Sequence, residues 1–134
     1  MGLFIVIFIA AAFCVKAWCV GDRNGKWEGR RVKYHYAYDG DTYTFHGGLK
    51  VRVRNIDTPE MDAVSPFQRD VALHARNYAR KMLREAGEIR LEDVKGRDKY
   101  GRLLARVVVD GKDVGSYLLR KGLARPWIER GKKY

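Results

Sequence analysis

Arg52, Asp57 and Glu60 lie within one short stretch, Arg52-Val53-Arg54-Asn55-Ile56-Asp57-Thr58-Pro59-Glu60, that sets a guanidinium beside two carboxylates. A cation next to paired carboxylates at a rigid chain position suits metal-assisted chemistry on a phosphate. The same residues also fit a surface ion pair followed by a proline turn, since short motifs are weakly specific. What decides between the two is whether the fold brings further charged groups to the same place.

The flanking pattern says how the stretch is held. Leu49, Val51 and Val53 alternate with Lys50, Arg52 and Arg54, the period of a strand with one apolar face. Pro59 cannot continue a ladder and biases Thr58 towards extended backbone, so a strand expected from Leu49 to Ile56 stops there. Thr42 to Phe45 reads as its partner, joined through a hairpin turn at Gly47-Gly48. That hairpin carries Asp41, in the turn Asp39-Gly40-Asp41-Thr42, towards the Asp57 end if the sheet coils or bulges. Two carboxylates converging from neighbouring strands begin a hard-cation site.

Upstream, Val32, Tyr34, Tyr36 and Tyr38 alternate with Lys33, His35 and Ala37, giving the first strand. The tyrosine row is expected to divide between core and amphipathic surface, with base stacking as its alternative use. Ser65-Pro66-Phe67-Gln68 carries a helix-start signature. Phe67, Val71, Ala75, Tyr78, Ala79, Met82 and Leu83 form its apolar face, and Gly87 ends it. Arg69, Arg76, Arg80 and Arg84 read as a solvated face, and His74 as structural. Glu88 to Val94 and Leu103 to Val109 are the fourth and fifth strands, separated by the cationic loop Lys95 to Arg102. Asp113 caps a short helix from Val114 to Lys121, closed by Gly122. The pattern predicts an α+β, mainly β domain: a five-stranded OB-fold Greek-key barrel with two helices packed on it.

The chain has 134 residues, enough for one core, and 27 Lys and Arg against 16 Asp and Glu, a net charge of +11. Such an excess attracts a polyanion, either nucleic acid or an anionic membrane surface. Leu3 to Val15 is an unbroken apolar run, shorter than the roughly 20 residues of a membrane span and suited to a signal peptide. Residues 1–17 are therefore expected to be a signal peptide, with an N-terminal anchor at 3–15 as the alternative. Residues 18–29, polar and rich in glycine, read as a linker, 30–127 as the folded domain and 128–134 as a basic tail. The protein is expected to be exported, periplasmic or secreted. The two cysteines, Cys14 and Cys19, lie in or beside the leader, so no disulfide framework holds the domain.

Three stretches together resemble the staphylococcal nuclease (thermonuclease) family: Asp39-Gly40-Asp41-Thr42, Arg52 with Asp57-Thr58-Pro59-Glu60, and Asp98-Lys99-Tyr100-Gly101-Arg102. Leu118 to Ala124 is similar to that family's last shared helix, and the resemblance covers roughly residues 30–127. It implies an OB-fold and a calcium-dependent endonuclease that hydrolyses the phosphodiester bonds of DNA and RNA, leaving 3′-phosphate ends. By the same resemblance Asp41 and Asp57 bind Ca2+ through carboxylates and Thr58 through its carbonyl, with Asp39 behind them. Arg52 and Arg102 hold the scissile phosphate, and Glu60 orients or deprotonates the attacking water. Lys99 and Tyr100 bind the substrate on the far side of the nucleotide. Trp127 is the nearest counterpart of the family's base-stacking tyrosines, with a role as a core cap as the alternative. The implied partners are DNA and RNA, single-stranded or unpaired regions favoured, for a monomer with no stable protein partner and a membrane tether only if the leader stays uncleaved.

Two other readings compete. A non-catalytic nucleic-acid-binding OB-fold module would share the charge and the fold, but such copies lose Arg or Glu at the positions that this chain keeps. A membrane-anchored basic module binding an acidic protein or lipid surface would leave Asp39, Asp41, Asp57 and Glu60 unexplained.

Overall fold

The computed structural model describes residues 26–128. The expected leader, the linker up to residue 25 and the tail beyond Ile128 lie outside these residues. No described helix is long and apolar enough to cross a membrane.

The chain forms β1 (Arg31–Val32), β2 (Tyr34–Ala37), β3 (Thr42–Phe45), β4 (Leu49–Val53), β5 (Ile56–Asp57), α1 (Pro66–Glu85), β6 (Ile89–Glu92), β7 (Leu103–Val109), β8 (Lys112–Asp113), α2 (Val114–Arg120) and β9 (Arg125–Pro126). The main sheet runs β1-β6-β7-β4-β3-β2, with β8 on β7, while β5 and β9 pair separately. All pairs are antiparallel except β4 with β7. Lys33 alone separates β1 from β2, so the two ends of the path belong to one bent strand and the sheet must coil. This is an OB-fold-like α+β domain, mainly β, as the patterning predicts.

The core follows from the alternation. Tyr43, Phe45, Val51, Val53, Leu91, Leu103 and Val107 face inward with little or no exposure, joined by Val114 and Leu118 from α2. The Tyr43 hydroxyl donates to the Gly40 carbonyl at 2.6 Å, so burial of the phenol leaves no orphaned donor and ties the acidic turn to the core. Burial, with the nearby Asp41 and Asp39 charges, holds that phenol well above its ordinary value, so it stays a donor.

Helix α1 begins as expected, with the Ser65 hydroxyl accepting from Gln68 N and Pro66 in its first turn. Its buried residues are Ala72, Ala75, Ala79 and Leu83, whose mostly small side chains let the helix lie close on the sheet. Phe67 is instead 74% exposed, because the first turn projects past the sheet edge before the buried alanines begin.

Three further expectations are revised. The strand expected from Leu49 to Ile56 ends at Val53 and turns through Arg54-Asn55. Asn55 there adopts φ 64°, a left-handed conformation that Asn tolerates better than most residues. The tyrosine row does not keep one face, since the register shifts between Tyr34 and Tyr36. That shift turns Ala37 inward and leaves Tyr36 and Tyr38 exposed. Finally, the described end of the glycine-rich segment is pinned to the sheet. Trp27 packs on the core, Gly29 N donates to Leu91 O at 2.7 Å, and the Glu28 carboxylate accepts from Asp93 N and Val94 N.

Candidate active site

The turn at Arg54-Asn55 creates the convergence that the sequence left to coiling or a bulge. It sends β5 back so that Asp57 meets Asp41, which sits beside Val53 through a hydrogen bond from Val53 N to Asp41 O of 2.9 Å. Arg52 braces the turn by donating Nη1 to the carbonyls of Val53 and Ile56. Its other amino group lies 3.3 Å from Asp41 Oδ2 and 3.6 Å from Asp57 Oδ1. One nitrogen within ion-pair distance of both carboxylates offsets their mutual repulsion. Asp41 is almost wholly buried, and Thr58 N donates to its Oδ2 at 3.0 Å.

Asp39 stands behind this pair, accepting from Asp41 N at 3.0 Å. Burial first, then the adjacent Asp41 charge, raises its carboxyl from 3.8 to about 7 despite backbone hydrogen bonds that lower it. Asp39 therefore holds its proton up to near neutral pH.

Arg102 reaches the cluster from β7's leading edge. Its Nη1 donates to Thr42 Oγ1 at 3.2 Å, and Thr42 Oγ1 lies 3.4 Å from Asp41 Oδ1. Asp98 holds this arginine, accepting from Arg102 Nε at 2.7 Å and Arg102 N at 3.0 Å, with Tyr100 N on the same carboxylate at 2.9 Å. Burial works against the Asp98 charge, but the Arg102 and Tyr100 hydrogen bonds outweigh it and lower its pKa. A depressed carboxylate contributes stability above its unfolded value, near 4, and loses it as pH falls through the native value. Asp98→Asn is therefore expected to cost about 1 kcal/mol at neutral pH and almost nothing near pH 3. Thermal melts across that range measure the difference, and a penalty independent of pH would contradict it.

Glu60 is exposed, and its carboxylate makes no hydrogen bond or ion pair among the described residues. It lines an open cleft of about 590 Å³ together with Asp57, Thr58, Gln68, Leu123 and Arg125. Lys99 and Tyr100 are exposed; the Arg102 guanidinium carbon lies 5.3 Å from the Tyr100 ring centre and Lys99 Nζ 5.0 Å from it. Trp127 is half exposed, and its backbone N–H donates to Asn55 O at 2.9 Å. Arg80, read as solvated, instead donates twice to Ala37 O and lies over the Tyr36 ring.

Arg125 is the residue that sequence reasoning missed. It stands opposite Asp57 across the β5–β9 pair and donates Nε and Nη2 to Asp57 Oδ2 at 2.9 and 2.8 Å. Two-residue strands paired over this sequence distance leave no periodicity to read.

Among the described residues no three His, Cys, Asp or Glu side chains form a metal cage. What the cluster offers is oxygen: the Asp41 and Asp57 carboxylates, and the buried Thr58 hydroxyl oxygen, which has no hydrogen-bond partner. An all-oxygen set with few charges fits a hard divalent cation bound weakly, and does not fit a metal that needs nitrogen or sulfur.

Residues 50–133 match the family model described as staphylococcal nuclease homologue. The chain belongs to this family. Among its similar relatives is the SPbeta prophage-derived endonuclease YokF of Bacillus subtilis (strain 168), 48% identical over 98 residues, or 66% of this chain and 31% of that protein. Endonuclease YncB of the same organism is 47% identical over 98 residues, 66% of this chain and 44% of its own length. The chain thus spans less than half the length of these two curated relatives. Within this staphylococcal nuclease homologue, the matched segment contains Arg52, Asp57, Thr58, Glu60, Lys99, Tyr100 and Arg102 and begins after Asp39 and Asp41. The latter two enter the site on geometry, Asp41 through its contacts with Arg52 and Thr58 and Asp39 through the hydrogen bond from Asp41 N.

Proposed function

We propose that this chain is a calcium-dependent endonuclease that hydrolyses phosphodiester bonds in DNA and RNA and leaves 3′-phosphate and 5′-hydroxyl ends. The observation that carries the reading is the convergence of Asp41, Asp57, Arg52 and Arg102, with an unpaired Glu60 in the adjoining cleft. The endonuclease names of both relatives support it. So does the net charge of +11, which draws a polyanion to the site.

Each side chain has a part that its chemistry suits. Attack at phosphorus adds negative charge to the non-bridging oxygens, and Arg52 and Arg102 can offer them forked, preorganised donors. Glu60 accepts a proton from the attacking water as the bond to the 5′-oxygen breaks, and the departing 5′-oxygen takes a proton from solvent. Asp41, Asp57 and the Thr58 backbone would hold the calcium ion, which when bound supplies Lewis-acid neutralisation of the phosphate. Asp98 keeps Arg102 extended towards Thr42, and Arg125 restrains Asp57. Single-stranded or unpaired nucleic acid is the expected substrate, acted on by a monomer. The apolar run from Leu3 to Val15 supports export, where millimolar calcium suits a weak site.

The test is cleavage of single-stranded and duplex DNA and of RNA by the purified protein in calcium, in magnesium and in chelator. Cleavage in calcium that chelator abolishes, with 3′-phosphate products, is expected. Tight binding with no cleavage under any metal would favour the non-catalytic binding module instead.

A further inference from the structure

The candidate cleft continues past the catalytic cluster. Gln68 and Val71 of α1 line the cleft beside Glu60, and farther along the same helix His74, Asn77, Tyr78 and Lys81 line a second hollow of about 390 Å³. Leu123 borders both, and Lys121 closes the second. Spacings of three and four keep these α1 residues on one face, so the two hollows form one groove between α1 and the segment after α2. From Gln68 to Lys81 the helix rises about 20 Å.

The second hollow is lined by no acidic residue. Beyond it Tyr78 stacks on Tyr117, ring centres 6.4 Å apart, and cations crowd the pair. Lys121 lies 5.8 Å from the Tyr78 ring, with Lys112 at 5.7 Å and Arg120 at 4.6 Å from the Tyr117 ring. Among the described residues none of Lys81, Lys112, Arg120 and Lys121 pairs with a carboxylate. That distinguishes them from Arg52, Arg102 and Arg125, which carboxylates already hold.

We propose that this groove is a strand-guiding exosite, in which Lys81 and Lys121 bind the phosphates of a single nucleic-acid strand as it leaves the cleavage site. The inference rests on the nuclease reading for its direction, because the groove opens from the cleft that holds Glu60. Nucleic acid is the occupant that matches it: a strand carries one phosphate charge per nucleotide, and the far hollow offers it Lys81 and Lys121 with no opposing carboxylate in its lining. Residues 129–134 are a poor competitor. The residues after Ile128 carry Arg130, Lys132 and Lys133 against Glu129 alone, and like charges repel.

The experiment compares the wild-type chain with the double variant Lys81→Ala/Lys121→Ala, two exposed or rim positions whose truncation spares the core. Fluorescence anisotropy in chelator measures a labelled single-stranded 12-mer and a dinucleotide across a salt series. For the 12-mer the variant is expected to bind about tenfold more weakly at low salt. Its slope of log affinity against log salt should fall by about 1.4, two contacts at about 0.7 each. Dinucleotide affinity should stay unchanged. In turnover, KM for the 12-mer should rise with kcat intact, while dinucleotide hydrolysis is unaffected. An unaltered salt slope, or an equal loss on both ligands, overturns the exosite. Displacement by polyglutamate as effective as by an oligonucleotide of equal charge would overturn the assignment to nucleic acid. If the wild type cleaves neither substrate the nuclease reading fails, yet the anisotropy comparison still decides whether the groove binds a strand.

Discussion

Glu60→Gln is expected to lower cleavage by about 10²–10⁴-fold while leaving the melting temperature unchanged. The side chain is exposed and bonds to nothing among the described residues, so its removal has no native contact to break. Arg52→Ala is expected to lower cleavage by about 10²–10³-fold but to behave differently in stability. Arg52 donates to two carbonyls of the turn that brings Asp57 back and stands between two poorly hydrated carboxylates. Removing it leaves the buried Asp41 carboxylate without its arginine, while Asp57 keeps Arg125, a loss expected at about 3–5 kcal/mol. Arg102→Ala should match Arg52→Ala in rate and fall between the two in stability, since its partner Asp98 lies in a loop nearer solvent. Initial rates in calcium and denaturant melts in chelator on all three variants separate these contributions. Near-normal turnover by folded Glu60→Gln would remove the glutamate from the chemistry and with it the assignment of the cleft.

The pattern of stability losses depends on features that were unequally legible in the sequence. The β3–β4 hairpin and the start of α1 could be read because each carries local turn or cap chemistry, Gly47-Gly48 in one and Ser65-Pro66-Gln68 in the other. The clustering of Asp41 with Asp57 was legible only as a tendency. What brings them together is the left-handed Asn55, and an Asn inside an alternating run does not announce a turn. The Tyr34/Tyr36 shift is hidden for the same reason, since a bulge reverses every later side chain without altering composition. Arg125 is a tertiary fact, supplied by a pairing between short strands far apart in sequence. Local chemistry thus names most of the charged groups, and long-range pairing decides which of them touch.

Gly40 shows how tightly that pairing is packed. A Cβ at this position would lie 2.7 Å from Thr58 Cγ2 and 2.8 Å from Ala75 Cβ, both well inside van der Waals contact. The Ala75 methyl cannot rotate away, because it is fixed to the backbone of α1. Gly40 does not have a left-handed φ, so the obstacle to alanine is contact with its neighbours. In Gly40→Ala the turn must lift off the helix, carrying Asp41 from Thr58 N and Arg52 and straining the Tyr43 hydrogen bond to Gly40 O. Overpacking of this kind costs about 1–3 kcal/mol, and cleavage should fall by at least the factor seen for a lost charge donor, about 10²-fold. The steric account makes a sharper demand. Ala75→Gly removes one of the two opposing methyls at a cost of about 1 kcal/mol in helix propensity, yet in the Gly40→Ala background it should restore part of both stability and rate. A double-mutant cycle is expected to show a favourable coupling of about 0.5–3 kcal/mol. Additive losses would mean that Gly40 serves the turn through its backbone freedom and that its approach to α1 is incidental.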